Sequence, residues 1–275
     1  MGCRASKGIC CPGAVAVPKV VVFGTGNVAT HMARGLYESG VDIVQIFGRN
    51  LQATTKLAHL TEAQPISSAD ELVRDADLYI LAVSDSAIGP LALSLPPVEG
   101  VVVHTAGAVP LSLFEGVVGR FGVLYPLQTF SQGREVDWES IPLFLEANSD
   151  DSLQSILEVA KWLSPHLQEL SSTHRMQLHL AAVFVNNFVN HCYAVGYDLA
   201  ESNGLNPEWL HPLMRETLEK AISLQNPLIG QTGPALRGNR EILQLHLSLL
   251  EGNPTRQEAY RALSNAISTQ HKPNE

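Results

Sequence analysis

The sequence is short of cysteine, of positive charge and of long apolar runs, and each shortage excludes a class of protein. Only four cysteines stand among 275 residues, Cys3, Cys10, Cys11 and Cys192, and three of them fall within the first eleven positions. None are paired at a spacing suited to tetrahedral zinc, so no metal site is expected and a reducing, cytoplasmic setting fits best. Lys and Arg total 18 against 27 Asp and Glu, a formal net charge of -9. Such a surface repels phosphodiester backbones, which argues against nucleic acid as a partner while leaving room for a small anion in a local basic pocket. No apolar stretch reaches the roughly 18 to 20 residues a bilayer span needs, because Lys19, Arg120 or proline interrupts the best candidates. The chain is therefore read as soluble. G-x-x-x-x-G-K-[ST], H-E-x-x-H and G-x-S-x-G are all absent, which removes the commonest phosphoryl-transfer and hydrolytic signatures.

The opening residues, MGCRASKGICCPGAVA, are read as a flexible extension over 1–16. Gly2 and Ser6 carry the spacing of an N-myristoylation signal with Cys3 beside them, and the competing reading is a leader from a misassigned start. Glycine, proline and cysteine break up any secretory h-region.

At 45% hydrophobic the chain is long enough for two ordinary domains, each with a core. From Pro18 onward, short β-branched runs alternate with helix-period segments, the pattern of a parallel sheet flanked by helices. Strands are predicted over 19–23, 41–47, 78–83, 101–104, 121–124, 141–146 and 167–170, with helices over 28–38, 52–60, 69–74 and 151–162 and a short one near 111–114. Beyond residue 172 long amphipathic segments take over, with helices predicted over 174–203, 207–224, 240–249 and 255–268. Asn206-Pro207 and Pro254-Thr255 open the second and last of these. The expected fold class is α/β: a Rossmann-type doubly wound parallel sheet over 17–171, followed by an all-α domain over 172–275 for substrate binding and dimerisation.

Gly24-Thr25-Gly26-Asn27-Val28-Ala29 is a G-x-G-x-x-A run that directly follows the first strand and opens the first helix. The first glycine permits the turn, the second lets a pyrophosphate reach the backbone, and Ala29 allows close helix-to-strand packing. Unpaired N–H groups at the helix start would face the phosphates. Gly40 ends the helix, and strand, turn, helix and second strand fit within about 30 residues, one βαβ unit. After the second strand, where an NAD enzyme places a carboxylate for the ribose 2′-hydroxyl, the sequence has Gly48-Arg49-Asn50. A guanidinium there suits a 2′-phosphate, so NADP(H) is expected over NAD(H); a solvent-facing loop arginine is the bland alternative. Val83-Ser84-Asp85-Ser86 and His104-Thr105-Ala106-Gly107 follow later strands, at the edge where an open parallel sheet lines its ligand crevice. The second of these loops is expected near the nicotinamide, or else is a plain turn.

The run RMQLHLAAVFVNNFVNHC, from Arg175 to Cys192, lacks acidic residues and is apolar round most of its circumference, so a buried helix is expected. At about 100° per residue, His179, Asn186 and Asn190 share one narrow stripe with Arg175 close beside them, and Asn187 and His191 sit further round. Three explanations remain open: a polar network between helices, a substrate or nicotinamide pocket, and a polar dimer seam. On the pocket reading His179 is the leading general acid, since imidazoles titrate near neutrality, with His104 second and the asparagines orienting substrate.

GTGNVA, GRN, AVSDSAI, HTAG, YPLQTF, LHLAAVFVNNF and TGPALRGN, in that order, resemble the Rossmann-like NADP oxidoreductases that carry an all-helical C-terminal domain of unknown function. That family groups with pyrroline carboxylate reductase, ketopantoate reductase and other 6-phosphogluconate-dehydrogenase-like enzymes. The resemblance implies a helical domain that dimerises and a cleft between domains. It implies that Gly24, Thr25, Gly26, Asn27, Val28, Arg49 and Asn50 hold the cofactor and that Val83, Ser84 and Asp85 flank its ribose. It further implies that His104, Thr105, Ala106, Gly107, residues 125–129 with Gln128, His179, Asn186 and Asn187 border the substrate. One departure stands out: Ala182 and Val183 occupy the places where the hydroxyacid and ketopantoate branches carry the lysine of a Lys-x-x-x-Asn pair. Reduction of an already protonated imine tolerates that loss better than carbonyl reduction. The expected function is an NADP(H)-dependent oxidoreductase acting on a small C=O or C=N metabolite; the alternative is an NADP(H)-binding or redox-sensing protein without turnover. A methyltransferase, which shares the glycine turn, usually wants an acidic residue where Arg49 stands.

Overall fold

The computed structural model describes residues 16–270. The expectations resting on Gly2, Cys3 and Ser6 lie outside the described residues. These residues form two compact units, one ending at Val189 and the other beginning at Asn190.

In the first unit eight strands form one sheet in the order β3-β2-β1-β4-β5-β6-β7-β8. The strands are β1 (Lys19–Phe23), β2 (Asp42–Phe47), β3 (Gln64–Ile66), β4 (Leu78–Leu81), β5 (Val101–His104), β6 (Phe121–Pro126), β7 (Leu143–Ala147) and β8 (Leu167–Glu169). The first six run parallel to their neighbours, β7 runs antiparallel to β6, and β8 is parallel to β7. Helices α1 (Asn27–Glu38), α2 (Leu51–Leu60), α3 (Asp85–Ser94) and α4 (Asp150–Ala160) connect them. Both sheet faces are covered, which is why the strands read as unbroken β-branched runs. Val20 and Val22 point into a layer with Met32, Leu36 and Ile156, whereas Val21 and Phe23 point into one with Ile88 and Phe114.

Several local expectations are corrected. The helix predicted over 69–74 is a single 3₁₀ turn, Ala69–Glu71, capped reciprocally by Ser68 and Glu71. Helix α3 went unpredicted because Gly89 and Pro90 interrupt it, and β3 because it has only three residues, one of them Pro65. The antiparallel β7 has no mark in its sequence, since strand direction is set by the connection that delivers the strand.

The unit closes with α5 (Ser172–Ala182) and a π-helical stretch, Val183–Phe188. The expected burial of this run is not seen: Arg175 alone is buried, while Phe184 and Val185 are 60% and 75% exposed in the single chain. Periodicity shows that a face is apolar; it does not show what covers it. Residues 172–189 group with the sheet because Ser172 and Arg175 are bonded to Glu146 on β7.

The second unit holds α6 (Val189–Ser202), α7 (His211–Ser223), α8 (Arg240–Leu249) and α9 (Pro254–Gln270). Asn206 and Asn239 accept capping bonds from Glu208 N and Ile242 N at 2.9 and 3.2 Å. Arg256 pairs with Asp198 at 2.5 Å, and His246 Nδ1 meets the Tyr260 hydroxyl at 2.7 Å. Among the described residues no helix is long and apolar enough to cross a membrane.

Candidate functional site

The turn after β1 meets the steric demands of a diphosphate site. Gly24 has φ +112, and a Cβ there would lie 2.3 Å from the Ala82 carbonyl oxygen, so no side chain is tolerated where the chain crosses β4. Its N–H donates to Phe47 O at 2.8 Å. Gly26 is the N-cap of α1 in extended backbone, without a side-chain cap, and a Cβ there would meet nothing within 4 Å. The first helical bond runs from Thr30 N to Gly26 O at 2.9 Å. The amides of Asn27, Val28 and Ala29 consequently have no partner within the helix, and the first turn carries no acidic residue. The partial positive charge of a helix start is thus aimed at a place with room for an anion.

Three further segments share this C-terminal edge. At the end of β2, Gly48 leaves room for Thr54 and Thr25, which a Cβ would meet at 2.3 and 3.1 Å. Arg49 is exposed and, among the described residues, forms no ion pair. Asn50 caps α2, its side-chain oxygen accepting from Ala53 N at 3.1 Å. That oxygen serves the helix, and the cation at this strand end is Arg49. At the end of β4, Val83 packs beside Gly24, exposed Ser84 is the N-cap of α3 with no side-chain cap bond, and Asp85 lies in the first turn. Asn27 donates its side-chain amide to Phe130 O at 2.9 Å, while His31 Nε2 lies 3.0 Å from Ser131 O. The segment following β6 is thereby fastened along α1.

The end of β5 meets α5. His104 is fully buried against Phe114, and its Nδ1 accepts from Ala106 N at 3.2 Å. Its pKa is pushed down to about 4 by burial, with the Arg175 charge adding to the fall and Glu146 and the Pro110 backbone opposing it. His104 is therefore a neutral ring that shapes the loop from within. Thr105 is half-buried, Ala106 and Gly107 are buried, and Gly107 closes on His179: a Cβ would lie 2.6 Å from its Nδ1. The same Nδ1 is 3.2 Å from the Tyr125 hydroxyl, with the rings edge to face. Burial raises the Tyr125 pKa, opposed by the Arg175 charge.

Behind this pair lies a buried ionic cluster. Arg175, 1% exposed, reaches Glu146 Oε2 at 2.5 Å, Val109 O at 2.6 Å and Ser172 Oγ at 3.2 Å. Ser172 donates its N–H and hydroxyl to Glu146 at 2.8 and 2.7 Å and accepts from Leu111 N at 2.8 Å. Burial alone would raise the Glu146 pKa, but the bonds from Ser172 and Arg175 hold it below its ordinary value.

The structure thus brings the segment after β4, through Val83, beside the glycine turn after β1, and gathers Gly107, Tyr125 and His179 into another cluster. Gln128 is exposed, its side-chain oxygen accepting from Thr129 N, and Asn186 and Asn187 are exposed on the π stretch. Each i→i+5 turn holds an extra residue, so positions after Val183 lag the α-helical projection and Asn187 moves towards the His179 stripe. The roles of Glu146 and Ser172 had no signal in the sequence: they are 26 residues apart and meet only through strand order. A separate cavity of about 310 Å³, lined by Asp75, Asp77, Glu99 and Arg120, lies at the other end of the strands, and its acidic lining is the wrong sign for phosphate.

A parallel sheet in the order 3-2-1-4-5-6 with a glycine turn after β1 defines a dinucleotide-binding α/β protein. Comparison with known proteins agrees. Residues 19–106 match the family described as NADP oxidoreductase, coenzyme F420-dependent, and residues 141–267 match a domain of unknown function, DUF2520. A Bacteroides fragilis protein described as a "putative NADP oxidoreductase" is 38% identical, with 92% of this chain and 98% of that one covered and a TM-score of 0.87. The chain belongs to this family of NADP oxidoreductases, in which a Rossmann-like domain is followed by a helical one. The Thermotoga maritima protein TM1727 shares the fold at 20% identity and a TM-score of 0.76, covering 92% of this chain and all of the other. A pyrroline-5-carboxylate reductase of Pseudomonas aeruginosa is 27% identical over 111 residues, 38% of this chain; the match spans 41% of that relative's length.

Proposed function

We propose that this chain is an NADP(H)-dependent reductase of a small compound with a C=O or C=N bond. The observation that carries this reading is the helix start at Gly26, where a Cβ would meet nothing within 4 Å and the first helical bond begins only at Thr30 N, with the cation Arg49 at the end of the next strand. The amides at 27–29 would hold the diphosphate, Arg49 the 2′-phosphate, and Ser84 and Asp85 the neighbouring ribose. The bound nicotinamide supplies a hydride. What the protein adds is position and a proton: Tyr125 Oη and His179 Nδ1 share one hydrogen bond, and the imidazole is the group suited to donate. Among the named relatives, the Pseudomonas aeruginosa pyrroline-5-carboxylate reductase favours a C=N substrate. So do Ala182 and Val183, apolar where related carbonyl reductases carry a lysine.

Fluorescence titration with NADPH and NADH, followed by NADPH oxidation across a panel of small imines and carbonyls, tests the proposal. Tight NADPH binding with turnover abolished by His179→Ala is expected. Failure of every panel member would leave the second reading, an NADP(H)-binding protein without turnover, which the missing lysine favours. Residues 172–275 are assigned to substrate binding and homodimer formation, supported by apolar side chains left bare in the single chain, Trp209, Ile222 and Leu249 among them at 71–75% exposure. Light scattering at micromolar concentration tests this; a monomer would refute it.

A further inference from the structure

We infer that Arg175 is a positioning residue that sets the Tyr125–His179 pair against the loop following β5; this rests on reading the pair as the proton-handling part of the site. Arg175 stands one helical turn before His179 on α5, so fixing one fixes the other. Its guanidinium ties together three separate stretches of chain: Glu146 on β7, the Val109 carbonyl after β5, and Ser172 at the start of its own helix. Ser172 completes the lock by taking Leu111 N and both oxygens of Glu146.

An ion pair with its arginine buried and its carboxylate partly so is a poor device for stability alone, because packed hydrophobic residues often serve as well or better. Arg175 also leaves its Nε buried without a partner among the described residues, a cost that a merely space-filling residue would avoid. What the pair supplies is geometry. The loop closes on His179 so tightly that a Cβ on Gly107 would lie 2.6 and 2.7 Å from its ring atoms Nδ1 and Cγ and 3.0 Å from its Cβ. Loop and helix therefore have no slack, and the Arg175–Val109 bond sets their spacing. The charge that acts on Tyr125 is that of Arg175, which together with Glu146 also acts on the buried His104. The guanidinium acts on two rings at once, opposing the burial-driven rise at Tyr125 and adding to the burial-driven fall at His104.

The test uses the full chain with ¹⁵N-labelled histidine. The Nδ1 resonance of His179, assigned by its loss in His179→Gln, is compared among the native chain, Tyr125→Phe, Arg175→Gln, Arg175→Lys and Ser172→Ala. Arg175→Gln is expected to move it towards its place in Tyr125→Phe, with partial return in Arg175→Lys, while His31, His211 and NADPH affinity stay as in the native chain. With a substrate in hand, kcat falls by about 100-fold, as for an ångström of misplacement, and KM for NADPH holds. Should Arg175→Gln fail to fold, Ser172→Ala decides, with a smaller shift in the same direction expected. A stationary His179 signal in the folded variant overturns the inference, as does movement of every histidine together, the mark of a purely structural role. Absence of NADPH binding by the native chain would instead sink the reductase reading and leave the histidine result to stand alone.

Discussion

Gly24 and Gly26 look equivalent in the sequence, but the structure assigns them opposite responses to a single added methyl group. At Gly24 a side chain meets both a left-handed backbone and the Ala82 carbonyl at 2.3 Å. Strain of this kind costs about 1–3 kcal/mol before the overlap is counted, so Gly24→Ala is expected to lose roughly 3 kcal/mol. In a chain this size that lowers Tm by roughly 5 °C. At Gly26 the backbone is extended, and the new methyl meets nothing within 4 Å. Gly26→Ala should cost only about 0.5–1 kcal/mol, the difference between glycine and alanine at an N-cap. Its methyl nevertheless stands where the diphosphate approaches. Losing one charge-assisted amide bond, about 1.5–3 kcal/mol, weakens NADPH roughly 10- to 100-fold. Thermal denaturation and NADPH fluorescence titration on both variants separate the two effects. If Gly26→Ala binds NADPH as the native chain does, the amides above Gly26 are not the phosphate site. If it unfolds as early as Gly24→Ala, the space is not open.

Arg49→Asp should abolish the preference for NADPH over NADH, which at one or two charge-assisted bonds amounts to roughly 10- to 100-fold; comparable affinities in the native chain would refute the assignment. His104 makes stability pH-dependent: its ordinary pKa of 6.5 falls to about 4 on folding, so above about pH 6.5 the ring is neutral in both states. As pH drops from there towards 4 only the unfolded chain takes up the proton, and up to roughly 3 kcal/mol of stability is lost. Urea denaturation between pH 7.5 and 4.5 should show this slope, flattened in His104→Gln; parallel slopes would contradict it. Gly107→Ala should push His179 off Tyr125 and lower kcat while leaving NADPH affinity intact, and unaltered turnover would show that the Tyr125–His179 contact is dispensable.

The nucleotide half was legible because its signals are local. Lys19 to Phe23 followed by Gly24 and Gly26 specifies strand, turn and helix within a few residues, and β5 and the 3₁₀ turn at Leu111–Phe114 lie where their short apolar runs placed them. Misreadings fell where short-range cues conflict with longer-range packing: Pro90 masked α3, and the apolar stripe of 175–192 foretold burial that the single chain does not provide.

By itself the sequence determined what depends on neighbours in the chain: the glycine turn after β1, the arginine in place of an acid after β2, and the change from sheet to helices near residue 172. Only the tertiary structure decided which distant residues meet. It sank His104 inside and joined Tyr125 to His179 across 54 positions. It also brought Glu146 and Val109 to Arg175 from 29 and 66 positions away. Those contacts follow from strand order and the reversal at β7, which arise when the whole sheet assembles and leave no mark on a short stretch of sequence.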